Sequence, residues 1–197
     1  MQSIQTVSEN TIYVGASDRR LAKFENLFPI PRGVSYNAYV ILDEKTALLD
    51  TADASVGAQF LENVAAALDG RKLDYLIVDH MEPDHAAMIE AVLVRWPDLR
   101  LVVNAKTLPM LKMYFPTDNA AIDDALVVKE GDTLDLGKHK LTFVMAPMVH
   151  WPEVMMTFDT TTGTLFSADA FGTFGALEGA LFADEVDFAG KWLDDAR

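Results

Sequence analysis

The sequence predicts one layered α/β domain built on mixed sheets. Three observations lead there. Short apolar runs alternate with turn residues along the chain. Helical spacing is concentrated between two β-rich stretches. No Pro-, Gly- or Ser-rich linker divides the chain, and neither an internal repeat nor a low-complexity segment is visible. The 197 residues suit a single domain, or little more than one. Half of them are apolar, and a chain of this length buries about 70% of its unfolded surface.

The elements follow in order. Thr11–Gly15 reads as a strand. Ser35–Leu42 and Thr46–Asp50 read as a hairpin joined by Asp43-Glu44-Lys45. Ser55–Leu68 carries Phe60, Leu61, Val64, Ala67 and Leu68 at helical spacing, with Gly70 where a C-terminal cap belongs. Leu73–Val78 is an apolar run broken only by Asp74, the mark of a strand buried on both faces. Ala86–Trp96 reads as a helix stopped by Pro97, Leu101–Asn104 as a strand, and Lys106–Phe115 as a helix with Pro109 near its start. Five short strands follow, at Ala125–Lys129, Thr133–Leu136, Lys140–Ala146, Val154–Asp159 and Thr164–Ala168, separated by Gly- and Thr-rich turns. Phe182–Ala196 reads as a last helix.

Charge and composition exclude several functions. Sixteen basic against thirty acidic residues leave a formal charge of −14. That balance offers no basic stripe for nucleic acid and no attraction to an anionic membrane. The absence of cysteine excludes disulfides, thiolate metal sites and a cysteine nucleophile. The polar start MQSIQTVSEN has no signal core, and no apolar run approaches the roughly 18 residues of a membrane span. A cytoplasmic location is the expectation.

The chemistry concentrates in Val78-Asp79-His80-Met81-Glu82-Pro83-Asp84-His85. A buried strand ends here, and His80, Glu82, Asp84 and His85 follow, at the strand end where open α/β sheets place ligands. In extended backbone, His80, Glu82 and Asp84 would share one side. Taken singly, Asp84 reads as a helix N-cap and each histidine as a surface residue. Taken together, two imidazoles and two carboxylates beside apolar sequence call for a cation. Nitrogen and oxygen donors without sulfur suit iron, manganese or zinc. His150, after the strand Lys140–Ala146, and Asp169, after Thr164–Ala168, stand at similar strand ends and would complete the cage. Asp79, Tyr36, Trp151 and Glu153 could support these ligands or simply pack. His139, in a Gly-Lys-His-Lys turn, is expected to be exposed and without a role.

His80-x-Glu82-x-Asp84-His85, then His150-Trp-Pro, then Ser-x-Asp169-Ala-Phe-Gly resembles the metallo-β-lactamase-like domain of flavodiiron proteins over essentially the whole chain. Ser35-Tyr36-Asn37-Ala38-Tyr39 resembles that family's early strand. The resemblance implies an αββα sandwich and two non-haem irons, with zinc a possible substitute. His80, Glu82 and His150 would hold one iron and Asp84 the other, with Asp169 bridging them; His85 is a less certain ligand. Glu82 discriminates, since hydrolases of the wider superfamily carry histidine there. The implied function is reduction of dioxygen to water or of nitric oxide to nitrous oxide. Electrons would come from FMN on the partner of a head-to-tail homodimer, refilled by rubredoxin-like or other donors. Family members are longer, with one more histidine ligand and an FMN-binding flavodoxin-like domain. The histidines here are His80, His85, His139 and His150, and there is no FMN phosphate loop. Residues 1–197 are therefore expected to be an incomplete diiron domain, a fragment of a longer parent rather than a truncated gene product or a standalone variant. The competing readings are a dizinc hydrolase and an inactive, half-loaded fragment.

Overall fold

The computed structural model describes residues 3–115 and 120–193. The chain opens with β1 (Gln5–Ser8), β2 (Thr11–Tyr13), β3 (Ala16–Asp18), β4 (Lys23–Phe24), β5 (Phe28–Pro29), β6 (Val34–Tyr36), β7 (Tyr39–Leu42) and β8 (Thr46–Leu49). The middle holds α1 (Gly57–Leu68), β9 (Tyr75–Ile77), α2 (Pro83–Ala86), α3 (Ile89–Arg95), β10 (Arg100–Asn104), α4 (Thr107–Tyr114) and α5 (Ala120–Asp123). It closes with β11 (Leu126–Val128), β12 (Thr133–Asp135), β13 (Lys140–Met145), β14 (Met155–Asp159), β15 (Thr164–Phe166) and α6 (Phe188–Lys191).

A seven-stranded sheet runs β1-β2-β7-β8-β9-β10-β11, and a four-stranded sheet runs β12-β13-β14-β15. In the first, β8, β9, β10 and β11 are parallel, while β1, β2, β7 and β8 pair antiparallel. Side-chain alternation builds two cores from one sheet. Leu48, Leu76 and Leu101 face Phe60 and Val64 of α1, Ile89 and Val92 of α3 and Leu111 of α4. Their neighbours Leu49, Ile77 and Val102 face Leu141, Phe143 and Met155 of the second sheet. Burial on both faces is why the central strands read as unbroken apolar runs. The layers are helix, sheet, sheet: the described residues supply three of the four layers expected of an αββα sandwich.

Several expectations need correction. The strand at Ala125–Lys129 does not join the C-terminal strands; β11 lies parallel to β10, with Val102 opposite Leu126. The expected helix Ala86–Trp96 begins earlier, with Pro83 in its first turn, and is interrupted at Ala87 and Met88. The expected helix Phe182–Ala196 is instead a 3-10 turn at Ala183–Glu185 followed by α6, and residues 194–196 lie outside the described residues. Asp187 explains the restart: its carboxylate accepts from Gly190 N at 3.0 Å and caps a new helix. Trp192, just after α6, lies so close over Gly175 that no side chain would fit there.

His139 is buried, not exposed. Its Nδ1 lies 2.8 Å from Asp159 Oδ2, and its backbone N–H donates to Asp43 Oδ2 at 2.6 Å. The Lys138 and Lys140 side chains face outward, so strand alternation turns the intervening imidazole inward, against the β7–β8 turn.

Candidate metal centre

The parallel strands deliver their carboxyl ends to one edge of the sheet. Asp50 follows β8, Asp79 and His80 follow β9, and Asn104 ends β10. The second sheet adds His150 and Glu153 from the β13–β14 connection and Asp169 from the segment after β15. Ala168 and Phe171, on either side of Asp169, have φ angles of 49° and 66°, in the left-handed region. Such backbone is disfavoured without glycine and persists where the surroundings hold it.

The six sequence-predicted residues meet in two overlapping groups. His80, Glu82, His150 and Asp169 form one, and Asp84, His85 and Asp169 the other; within each, one donor atom per residue lies within 4.8 Å of the rest. His150 Nε2 lies 2.6 Å from Glu82 Oε2 and 3.1 Å from Asp169 Oδ2. His80 Nε2 lies 3.1 Å from Glu82 Oε2 and 3.4 Å from Asp169 Oδ2. His85 Nε2 lies 2.8 Å from Asp169 Oδ1 and 3.6 Å from Asp84 Oδ2. Asp169 alone belongs to both groups.

The alternation expected of His80, Glu82 and Asp84 holds for the first two. Pro83 then turns the chain into α2, which carries Asp84 into the second group. Asp84 is not the N-cap; that position is Glu82, whose side chain makes no capping bond. Among the described residues Asp84 Oδ1 is buried with no hydrogen-bond partner.

Electrostatics point to a cation. Burial, then the negative charges of Asp169 and Glu82, push the Asp84 carboxyl up to about 6, against the pull of His85. Burial disfavours the His80 imidazolium, but hydrogen bonds to Asp169, Glu153 and Glu82 outweigh it and lift His80 to about 11. His85 is raised well above the usual imidazole range against its burial, chiefly by Asp84, Asp169 and Asp50. Asp169, despite burial, is held far below the usual carboxylate range by His80 and His85. Protons on the imidazoles thus balance the carboxylates, and divalent ions can take their place. A nitrogen and oxygen donor set around an unpartnered buried carboxylate oxygen fits such ions.

Other groups support the cluster. His80 Nδ1 meets Glu153 Oε1 at 2.8 Å, and the Trp151 ring meets the His80 ring edge to face, 5.4 Å between centroids. Asp79 Oδ1 accepts from Thr157 Oγ1 at 2.8 Å. Tyr36 is buried in the helix-side core. Two residues escaped the sequence reading. Asp50 Oδ2 lies 2.9 Å from His85 Nδ1, and its Oδ1 accepts from Asp79 N at 2.7 Å. The available signal was a carboxylate ending the fully buried β8. Glu25, at the tip of the β4–β5 hairpin, lies near Glu82; partial loss of hydration and that negative neighbour raise its carboxyl. Nothing in the local sequence foretells that contact.

Two face-to-face sheets, a helical layer on one side and a histidine–carboxylate cluster at the strand ends define a metal-binding domain of the metallo-β-lactamase-like class. The comparisons narrow the class. Residues 34–192 match the family described as "ODP family beta lactamase". The chain is 38% identical over 185 residues to an anaerobic nitric oxide reductase flavorubredoxin of Klebsiella pneumoniae, covering 92% of this chain and 37% of that protein. It is 36% identical over 192 residues to a nitric oxide reductase of Moorella thermoacetica, covering 96% and 47%. Among solved structures, the rubredoxin:oxygen oxidoreductase of Desulfovibrio gigas superposes with a TM-score of 0.89 at 30% identity, over 95% of this chain and 46% of that one. The chain belongs to the ODP family of beta-lactamase-like domains, the metallo-β-lactamase-like domain of flavodiiron proteins. It spans less than half the length of these relatives.

Proposed function

We propose that this chain is the diiron domain of a reductase that converts dioxygen to water, nitric oxide to nitrous oxide, or both. The observation that carries the reading is Glu82: with His80, His150 and the shared Asp169 it puts a carboxylate inside the first donor group. His80, Glu82 and His150 would hold one ion, Asp84 and His85 the other, and Asp169 both. When bound, a pair of irons supplies electrons to a diatomic gas at an open position, which zinc, without redox chemistry, does not. The chain's own residues set the conditions. Glu82, Asp84 and Asp169 bring three negative charges against two divalent cations and so favour the higher iron oxidation state. His80 is fully buried, whereas the His150 side chain is 53% exposed, so a ligand would enter on the His150 side.

Electrons would arrive from FMN in a head-to-tail homodimer in the cytoplasm, refilled by a rubredoxin-like donor. The names of the relatives, flavorubredoxin and rubredoxin:oxygen oxidoreductase, support the flavin and the rubredoxin-type donor. The test is metal content per chain on protein prepared without oxygen and supplied with iron, followed by chemical reduction and exposure to each gas. About two irons per chain are expected; the two electrons of one reduced pair suffice for one round with nitric oxide, whereas dioxygen, which takes four to reach water, draws on two such pairs. Zinc with turnover of an ester or thioester, and no response to either gas, would overturn the reading in favour of a hydrolase.

A further inference from the structure

We propose that Glu153 is the positioning residue that decides which imidazole nitrogen of His80 faces the metal ions. The proposal rests on the reading of the cluster as a metal centre, and its test is independent of gas chemistry.

Glu153 and His80 are both buried, and Glu153 Oε1 holds the His80 loop at two points. It lies 2.8 Å from the ring Nδ1 and accepts from Met81 N at 3.0 Å. The other oxygen, Oε2, is buried with no partner among the described residues. A buried carboxylate is costly without hydrogen bonds, so its side-chain contacts act through Oε1 and hence on the His80 loop. The frame behind it is rigid. Asn104 Nδ2 donates to the Glu153 carbonyl at 2.5 Å, and Asn104 Oδ1 accepts from Lys106 N at 2.8 Å and Thr107 N at 3.1 Å. Lys106 Nζ donates to the Pro152 carbonyl at 3.0 Å. Glu153 is thereby tied to the end of β10 and the first turn of α4.

On the far side of the ring, His80 Nε2 faces Glu82 and Asp169. A proton held on Nδ1 by a carboxylate leaves the Nε2 lone pair for the ion, fixes the ring's orientation and makes it a stronger donor.

The test uses the full chain with zinc as a diamagnetic probe. Zinc affinity is measured by chelator competition, and the His80 ring of the zinc-loaded protein is followed by nitrogen–proton NMR. Wild type is expected to show a protonated Nδ1 with its proton far downfield and a metal-bound Nε2. Glu153→Gln preserves size and an acceptor oxygen but removes the charge. It should shift the Nδ1 proton upfield and lower zinc affinity roughly 10–100-fold. Glu153→Asp retains the charge and should recover part of both, which also serves if the Gln variant folds poorly. A Glu153 that only packs would alter stability without moving the His80 proton. Metal bound through Nδ1 in wild type, or Glu153→Gln with unchanged proton and affinity, overturns the proposal. Loss of gas consumption with the zinc results intact would instead overturn the reductase reading alone.

Discussion

Asp169→Asn should remove both metal positions at once. The residue is shared by the two donor groups: Oδ1 lies 2.8 Å from His85 Nε2, and Oδ2 lies 3.1 Å from His150 Nε2. An amide keeps the shape but presents one neutral oxygen where two anionic ones are needed. The magnitude follows from linkage. An ion at a hundred times its Kd stabilises the fold by about 2.7 kcal/mol, and a domain of this size gains roughly 2–4 °C per kcal/mol, so one ion raises Tm by about 5–11 °C and two by roughly twice that. Thermal unfolding is to be followed with and without added metal, with metal content measured on the same samples. Wild type should show the full rise, and Asp169→Asn little or none. His85→Ala, which removes a donor of the second group alone, should retain the rise of a single ion. Asp169→Asn that still binds two ions with the full rise would refute the shared-carboxylate reasoning.

Three further predictions concern the scaffold. Asp159 accepts from Thr162 Oγ1 at 2.7 Å, from Thr161 N at 3.0 Å and contacts His139 Nδ1, and these bonds hold its carboxyl below the usual range against its burial. Its contribution is therefore present above the ordinary value of 3.8 and lost as pH falls through the lower folded value, so Asp159→Asn should flatten the acid limb of stability. At neutral pH the same change should cost roughly 1.5–3 kcal/mol by denaturant melt. Phe143, fully buried between the sheets, should cost about 3–5 kcal/mol as Phe143→Ala, measured by urea unfolding. Asn63 in α1 donates to the carbonyls of Val14 at 3.2 Å and Gly15 at 2.9 Å; Asn63→Ala leaves both without that donor and should lower stability by about 1–3 kcal/mol on the same assay.

The two-sided burial of β9 was legible because alternation on a sheet covered on both faces leaves few polar positions, and Leu73–Val78 carries one, Asp74, near its start. The first donor cluster was legible because its residues are close along the chain. His150 and Asp169 were legible as candidates because each follows a strand. Sequence alone thus determined the layered α/β class, the central strands and the set of candidate metal-binding residues, since these depend on local periodicity and on donors within a few positions of a strand end. Tertiary structure alone decided the rest. It placed β11 in the first sheet, turned His139 inward and divided the six donors into two groups around Asp169. It also set Asp50 and Glu153 behind the imidazoles. The physical reason is separation along the chain: these relations join residues from 20 to more than 80 positions apart. Strand pairing within one sheet brings His139 to Asp159, and the packing of one sheet on the other brings His85 to Asp169.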